Sequence, residues 1–262
     1  MIYGRISRYG YVPTPRAEHR RLFPRFRAAF QLAAAAPRDL RPFTCKVLDQ
    51  ANSGSCVGHG TATGLFTAAA VAGKPLGFIP SPWGIYQNAL CYDRGSPANG
   101  RLQDQGCMPS SAMLGLTHFG VRAMSPQSAS TDVPQGATYL PEPDLASLEL
   151  EGPHLYVGWY SIGSADEART AIAAGCPVGI GTYVDTSFED WTPSRPPLGL
   201  MREDDPAGGG HWTCLVESRS GGIFTLRNSW GTSYGDNGEC LVTDDFVNQA
   251  DELIAFGWKG QP

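Results

Sequence analysis

Apolar residues form long segments in the front part of the chain and short extended runs in the rear part. Three front segments begin with small, cap-forming residues, which predicts helices over 55–72, 81–91 and 110–119. Gly120 follows the third segment and is a typical helix stop. We therefore expect a mainly helical lobe over residues 38–130.

The rear part of the chain alternates short apolar runs with turn residues, a pattern that is typical of a sheet. A capping box at 164–167 predicts one helix, which ends at Gly175. Strands are predicted over 177–184, 211–217, 222–228, 240–243 and 252–256. We expect a β-rich lobe over residues 131–262 and an α+β fold class.

A β-hairpin is predicted where four turn residues separate the strands over 211–217 and 222–228. Closing this turn symmetrically pairs residue 217 with 222 and residue 211 with 228. Directly opposed residues share a face, with Cβ atoms about 5 Å apart. This register places the Asn228 side chain beside the His211 imidazole, and a one-residue slip would separate them.

The composition is that of an ordinary globular protein of 262 residues, with 42% hydrophobic and 17% charged residues. No apolar run approaches the length of a membrane span, and the first residues lack the apolar core of a secretory signal. We therefore expect a cytoplasmic protein without a membrane partner.

The charge is unevenly distributed, although the whole chain carries only −5. Residues 1–37 contain seven arginines and one acidic residue, so this segment carries +6 and the remainder −11. Its four prolines interrupt any long helix, which predicts a basic, extended N-terminal arm with a short helix over 25–36. We expect the arm to lie on the acidic body of its own molecule. A partner in a larger assembly is the alternative, and nucleic acid is disfavoured because arginines alone are a weak signal.

Seven cysteines are scattered along the chain without a C-x-x-C motif or a Cys/His cluster at zinc spacing. We expect reduced, buried thiols, with a pair of disulfides as the alternative. No metal or other cofactor is expected.

Cys56 differs from the other cysteines because it falls in the first turn of the predicted helix over 55–72. The positive end of a helix dipole favours thiolate over thiol, which would make Cys56 a nucleophile. A buried structural cysteine explains the same stretch equally well, because free cysteine is among the most buried residue types. Residues farther along the chain decide between the two interpretations.

A thiolate that attacks a carbonyl needs a base, a group that orients the base, and hydrogen-bond donors for the oxyanion. His211 and Asn228 would provide the first two, because the hairpin predicts them side by side. The Gln50 side-chain amide and the Cys56 backbone N–H would provide the donors.

These residues lie in segments that resemble the papain-like cysteine peptidases. Gln50 and Gly54-Ser55-Cys56 match the Gln…Gly-Ser-Cys of that family, and His211 begins a predicted strand as the family's catalytic His does. The most specific match is Asn228-Ser-Trp-Gly231, which is similar to the family's Asn-Ser-Trp-Gly. The matches follow the family order and cover most of residues 38–245.

The resemblance implies a papain-like fold with a helical lobe, a β-barrel-like lobe and an active-site cleft between them. It also implies a role for each residue. Cys56 would be the nucleophile, and His211 the general base and acid, in an ion pair with the thiolate. Asn228 would orient His211, Gln50 would build the oxyanion hole, and Trp230 would shield the Asn–His hydrogen bond from water.

The chain departs from the family pattern at several points. Ser53 stands where secreted members have a disulfide cysteine, and Val57 replaces the usual Trp or Tyr after the nucleophile. Residues 104–109 stand where the Gly-Gly of the substrate groove is expected. The arm over 1–37 is too short for the usual inhibitory propeptide and resembles the lead-in of bacterial and phage members.

We therefore expect a thiol endopeptidase that cleaves a polypeptide substrate through a Cys acyl-enzyme. An amidase or transpeptidase-type acyl transferase would use the same residues with another acceptor. The third interpretation is a structural or peptide-binding component of a larger assembly, such as a phage particle, which would make the protein virion-associated. The complete set of four catalytic residues favours catalysis.

Overall fold

The computed structural model describes residues 9–26, 36–94, 101–124, 139–141 and 157–258. Its helices are α1 (Arg16–Leu22), α2 (Cys56–Val71), α3 (Pro82–Arg94), α4 (Pro109–Phe119), α5 (Ala165–Ala173), α6 (Thr186–Glu189) and α7 (Asp244–Asn248), with a 3-10 turn at Arg41–Phe43. Its strands are β1 (Arg38–Asp39), β2 (Arg101–Gln103), β3 (Tyr139–Pro141), β4 (Val157–Ile162), β5 (Val178–Val184), β6 (Gly209–Arg219), β7 (Ile223–Arg227), β8 (Glu239–Thr243) and β9 (Glu252–Trp258).

The helices predicted for the front part are present, with changes at their ends. Helix α2 begins at Cys56, α3 continues to Arg94, and Gly120 ends α4 with a φ of 80°. The start of α4 differs from the prediction, because Met108 is the N-cap and Pro109 is the first helical residue. Proline suits this position, since its fixed φ is already helical and its missing N–H has no helical partner.

Helix α2 packs closely against both lobes because glycines on its surface let its neighbours approach. A Cβ atom at Gly58 would lie 2.2 Å from the Pro82 carbonyl oxygen at the start of α3. A Cβ atom at Gly60 would lie 2.6 Å from the Trp212 side chain of β6. The close approach to this helix therefore comes from α3 on one side and the sheet on the other.

The rear strands form an antiparallel sheet in the order β4-β9-β5-β6-β7-β8, with β1 added against β6. The fold class is α+β, but the expectation of a barrel-like lobe is wrong. Within the described chain the end strands β4 and β8 do not pair, so the sheet stays open. The outer edge of β8 is already occupied by Leu198, whose N–H and carbonyl form 2.8 Å hydrogen bonds with Leu241 and Thr243.

The β6–β7 hairpin does not have the predicted register, in which residue 217 pairs with 222 and residue 211 with 228. In the structure, Glu217 pairs with Thr225. Two local features cause the difference, a turn with two glycines at positive φ and a β-bulge in β6. The bulge adds one unpaired residue to β6, which shifts every pairing beyond it.

The described part of the arm, residues 9–26, lies on the body as the charge distribution predicts. Phe23 is buried, and the Pro24 carbonyl accepts a 2.9 Å hydrogen bond from the Ser161 amide of β4. Helix α1 within this segment is not predicted by the sequence. The predicted helix over 25–36 lies mostly outside the described residues.

All seven cysteines lie in the described part of the chain, where they are buried and form no disulfide with one another. In the same part of the chain, no helix combines the length and the apolar character that crossing a membrane requires.

We predict that Gly60→Ala destabilises the protein, although alanine is the better helix former. The added methyl would enter the space of the buried Trp212 ring, and overpacking of this kind costs about 1–3 kcal/mol. Gly84→Ala in α3 is the matched control, because its Cβ would meet the flexible Arg122 side chain. Urea unfolding should show a lower midpoint for Gly60→Ala only, and equal midpoints for the two variants would contradict the packing argument.

Candidate active site

Cys56 is the first residue of α2, and none of its surface is exposed. Burial raises the pKa of the thiol to about 11, while hydrogen bonds from the backbone N–H groups of Trp212, Gly10 and Val57 oppose this rise. The charge of Asp104 raises the pKa further. Desolvation therefore acts against the thiolate expected at the helix N-terminus, and it outweighs the backbone hydrogen bonds that favour the charged form.

His211 lies near the start of β6, and only 1% of its surface is exposed. Its Nε2 atom lies 2.8 Å from Oδ1 of Asn228. The same Oδ1 accepts a 2.8 Å hydrogen bond from the Ser229 backbone N–H, which identifies it as the amide oxygen. Nε2 must therefore carry the proton and donate it to Asn228. The lone pair of the neutral imidazole is then on Nδ1.

His211 and Asn228 are thus neighbours in the structure, although they are not paired across the hairpin. Strand β7 ends at Arg227, so Asn228 lies just beyond the hairpin. Its backbone N–H donates to the Gly238 carbonyl at 2.9 Å, which holds this residue against the next turn. The neighbourhood that the sequence predicts is correct, although the register from which it was predicted is wrong.

Aromatic rings surround the His–Asn hydrogen bond. The Trp230 ring lies 4.8 Å from the His211 ring, centre to centre, at an angle of 30°. The Phe188 ring meets His211 edge-on at 5.8 Å. Only 7% of Trp230 is exposed, and its role in shielding this bond from water remains a prediction.

Gln50 is fully buried and joins the loop before Cys56 to the segment after Asn228. Its Oε1 accepts a 2.6 Å hydrogen bond from the Ser229 hydroxyl, and its Nε2 donates to the Ser53 carbonyl at 2.8 Å. These two bonds fix the orientation of the amide, with its NH₂ group toward the loop before Cys56. The role of Gln50 in an oxyanion hole remains a prediction.

His59, one turn after Cys56, is held by contacts with Ser55 at the start of the same helix. Its Nδ1 lies 2.9 Å from the Ser55 carbonyl and 3.2 Å from the Ser55 hydroxyl, and the residue is buried. His59 is therefore a packed histidine inside α2.

The arm passes through the space between the two lobes, directly over Cys56. The Tyr11 amide donates to the Gly210 carbonyl of β6 at 3.2 Å. On the opposite wall, Cys107 donates to the Gly10 carbonyl at 2.9 Å, and Val12 donates to the Cys107 carbonyl at 3.1 Å. A short extended peptide is therefore hydrogen-bonded to both walls of the cleft.

The fit of the arm in the cleft depends on glycine. A Cβ atom at Gly10 would lie 1.8 Å from the Gly54 carbonyl oxygen, so no side chain fits at this position. Tyr9 and Tyr11 lie on either side, with the Tyr9 ring 6.2 Å from the His211 ring and the Tyr11 ring stacked on Trp212 at 6.0 Å. The position of the arm in the cleft is not predicted from the sequence, although Tyr9-Gly10-Tyr11, a glycine between two aromatic residues, was the available signal.

A buried carboxylate of the body also holds the arm. Glu252 accepts a 3.2 Å hydrogen bond from the Thr14 backbone N–H, and its other oxygen lies 3.5 Å from Nε2 of His19. Burial raises the pKa of Glu252 to about 7, with a smaller rise from Asp251, while the hydrogen bonds from Thr14 oppose it. The arm is therefore anchored both in the cleft and beside β9.

A helical lobe that carries Cys56 at the start of α2, packed against an open antiparallel sheet that carries His211 in β6, defines the papain-like fold. The similar solved structures include xylellain, a cysteine protease from Xylella fastidiosa, at 22% identity and a TM-score of 0.73, covering 98% of this chain and 99% of that chain.

Digestive procathepsin L 3 of Tenebrio molitor is similar at 17% identity and a TM-score of 0.64, covering 96% of this chain and 76% of that one. Procathepsin B S9 from Trypanosoma congolense is similar at 15% identity and a TM-score of 0.63, covering 95% and 85%. No protein-family model and no curated protein sequence matches the chain. At these identities the likeness establishes the fold.

We predict that alkylation of Cys56 by iodoacetamide is slow at pH 8 while the arm is docked. With a thiol pKa of about 11, only about one thiol in a thousand is ionised at that pH. The rate at Cys56, followed by mass spectrometry, should rise tenfold per pH unit up to about pH 10. Alkylation at pH 8 as fast as that of an exposed cysteine would show that Cys56 is neither buried nor protonated in solution.

Proposed function

We propose that the protein is a thiol peptidase that cleaves polypeptides through an acyl-enzyme on Cys56. The observation that carries this proposal is the extended peptide, Gly10 to Val12, that is hydrogen-bonded to both walls of the cleft beside the thiol. A cleft that holds a polypeptide backbone against a cysteine, next to a His–Asn pair, suits attack on a peptide carbonyl.

The His211 tautomer supports a defined path for the proton. With Nε2–H donated to Asn228, Nδ1 would take the proton from the Cys56 thiol as its sulfur attacks the substrate carbonyl carbon. The same imidazolium would then protonate the departing amine, which leaves an acyl group on sulfur. Water, deprotonated by Nδ1, would hydrolyse this thioester and regenerate the thiol.

The oxyanion of each tetrahedral intermediate needs donors that are already in place. The Cys56 backbone N–H lies in the first turn of α2, where no intrahelical acceptor is available to it. The Gln50 amide, oriented by Ser229, would be the second donor. Each such donor contributes about 3 kcal/mol to stabilisation of the transition state.

The docked arm is incompatible with turnover, because it fills the space that a substrate backbone would need. The described state is therefore a closed form of the proposed peptidase. Opening would require the segment from Tyr9 to Val12 to leave the cleft, which would also expose Cys56 to water and remove part of the desolvation that raises its pKa.

We predict that the 262-residue chain hydrolyses a fluorogenic peptide through the fraction of molecules whose arm has left the cleft, and that an epoxide thiol inhibitor labels Cys56 in the same fraction. Cys56→Ala should lose both properties, because the nucleophile is gone. Cys176→Ala, another fully buried cysteine, is the matched control and should keep them. Labelling without hydrolysis, combined with product formation from added amines, would identify an acyl transferase. Absence of labelling even after the arm is displaced would favour a structural component of an assembly.

We predict that Gly10→Val raises kcat/KM at least tenfold. The valine side chain would clash with the Gly54 carbonyl and expel the arm from the cleft. Pro13→Ala is the control, because Pro13 is exposed within the same segment. Initial rates on the same peptide measure both variants. Unchanged activity in Gly10→Val, with an unchanged rate of epoxide labelling, would show that the arm does not limit access.

A further inference from the structure

A buried carboxylate lies beside the nucleophile's loop and has no part in the mechanism above. Asp104 is only 8% exposed and lies between β2 and α4. Its two oxygens accept hydrogen bonds from the Gly54 backbone N–H at 3.1 and 3.0 Å. Gly54 is two residues before Cys56, so the carboxylate holds the loop that carries the nucleophile.

Tyr86 extends this contact to a third element. The residue is fully buried in α3, and its hydroxyl donates to Oδ1 of Asp104 at 2.5 Å. The same hydroxyl oxygen accepts a 2.8 Å hydrogen bond from the Gly106 backbone N–H. Burial, followed by the Asp104 charge, raises the pKa of Tyr86 well above its ordinary value, so it stays a neutral donor.

Gly106 is directly followed by the part of the cleft wall that binds peptide backbone. Cys107 exchanges two hydrogen bonds with the arm, at 2.9 and 3.1 Å. The chain Gly54–Asp104–Tyr86–Gly106 therefore links the loop before the thiol to the wall against which a peptide lies. Close packing supports this link, since a Cβ at Gly54 would lie 2.8 Å from Asp104 and 3.2 Å from the Gly106 nitrogen.

We propose that Asp104 and Tyr86 are positioning residues that fix the distance between the Cys56 loop and the peptide-binding wall. The proposal rests on the proposed peptidase function. A thiol and a bound carbonyl react only when they are held in near-attack geometry, and a misplacement of about 1 Å can reduce the rate about a hundredfold. Asp104 and Tyr86 hold both sides of that geometry through four hydrogen bonds, three of them with backbone N–H groups and one between the two side chains.

The negative charge of Asp104 gives this positioning role an electrostatic signature. The charge raises the pKa of the Cys56 thiol, together with burial. Removing it should lower that pKa, whereas removing only the Tyr86 hydroxyl leaves the charge in place and should not lower it. A purely structural role for the pair would lower the stability of both variants and leave the kcat of the folded protein unchanged.

Asp104→Asn and Tyr86→Phe test the proposal in the 262-residue chain, each with and without Gly10→Val. Hydrolysis of a fluorogenic peptide by the Gly10→Val forms should fall at least tenfold in both variants, through kcat more than KM. The Cys56 thiol titration, followed by NMR of ¹³Cβ-labelled cysteine and assigned with Cys56→Ala, should move to lower pH in Asp104→Asn and not in Tyr86→Phe.

Asp205→Asn is the matched control, because Asp205 is also buried and accepts backbone hydrogen bonds from Thr186 and Ala207. It should leave both readouts unchanged. Values of kcat within twofold of the parent in both variants would overturn the positioning role, and a Cys56 titration that is unaffected by Asp104→Asn would refute the electrostatic coupling of Asp104 to the thiol. Absence of hydrolysis in every chain, with the titration shifted as expected, would refute the peptidase and leave the coupling of Asp104 to the thiol established.

Discussion

The packing of Trp212 against α2 is the contact on which the site depends. The Trp212 side chain lies where a Cβ of Gly60 would be, one turn after Cys56, while its backbone N–H reaches the Cys56 sulfur. One residue of β6 therefore fixes both the separation of helix and strand and the surroundings of the thiol. Because His211 is the preceding residue in β6, its position relative to Cys56 follows from the same contact.

The Cys56 thiol is expected to be unreactive in this closed form, for a physical reason. A helix N-terminus favours a thiolate, but the effect of the dipole is modest, typically 0.3–1 kcal/mol at exposed sites. Complete burial under the arm removes water from the sulfur, and desolvation can shift a pKa by several units. The result is a pKa of about 11 for Cys56. The arm thus affects the proposed peptidase twice, by excluding substrate and by keeping the nucleophile protonated.

The sequence predicts most elements because each has a local signal, such as the capping box before α5, in which Ser164 accepts from the Glu167 amide as expected. What it could not predict depends on backbone geometry or on distant contacts. The bulge at Val216 and the closing of the β8 edge by Leu198 leave no pattern in the residues. The pairing of Asn228 with His211 was predicted from a wrong register. The motif around Asn228 therefore locates the site better than strand counting does.

The docked arm occupies the cleft without being placed for attack. The Gly10 carbonyl is directed to the Cys107 amide on the wall, at 2.9 Å, and so it is not available to the donors predicted at Cys56 and Gln50. On the side of Gly10 that faces the nucleophile's loop, a Cβ atom would lie only 1.8 Å from the Gly54 oxygen. A residue with a side chain therefore cannot take the backbone course of Gly10. A substrate with a side chain at this point must take a different course through the cleft. The arm can therefore bind through the same walls as a substrate and still avoid cleavage by the proposed nucleophile.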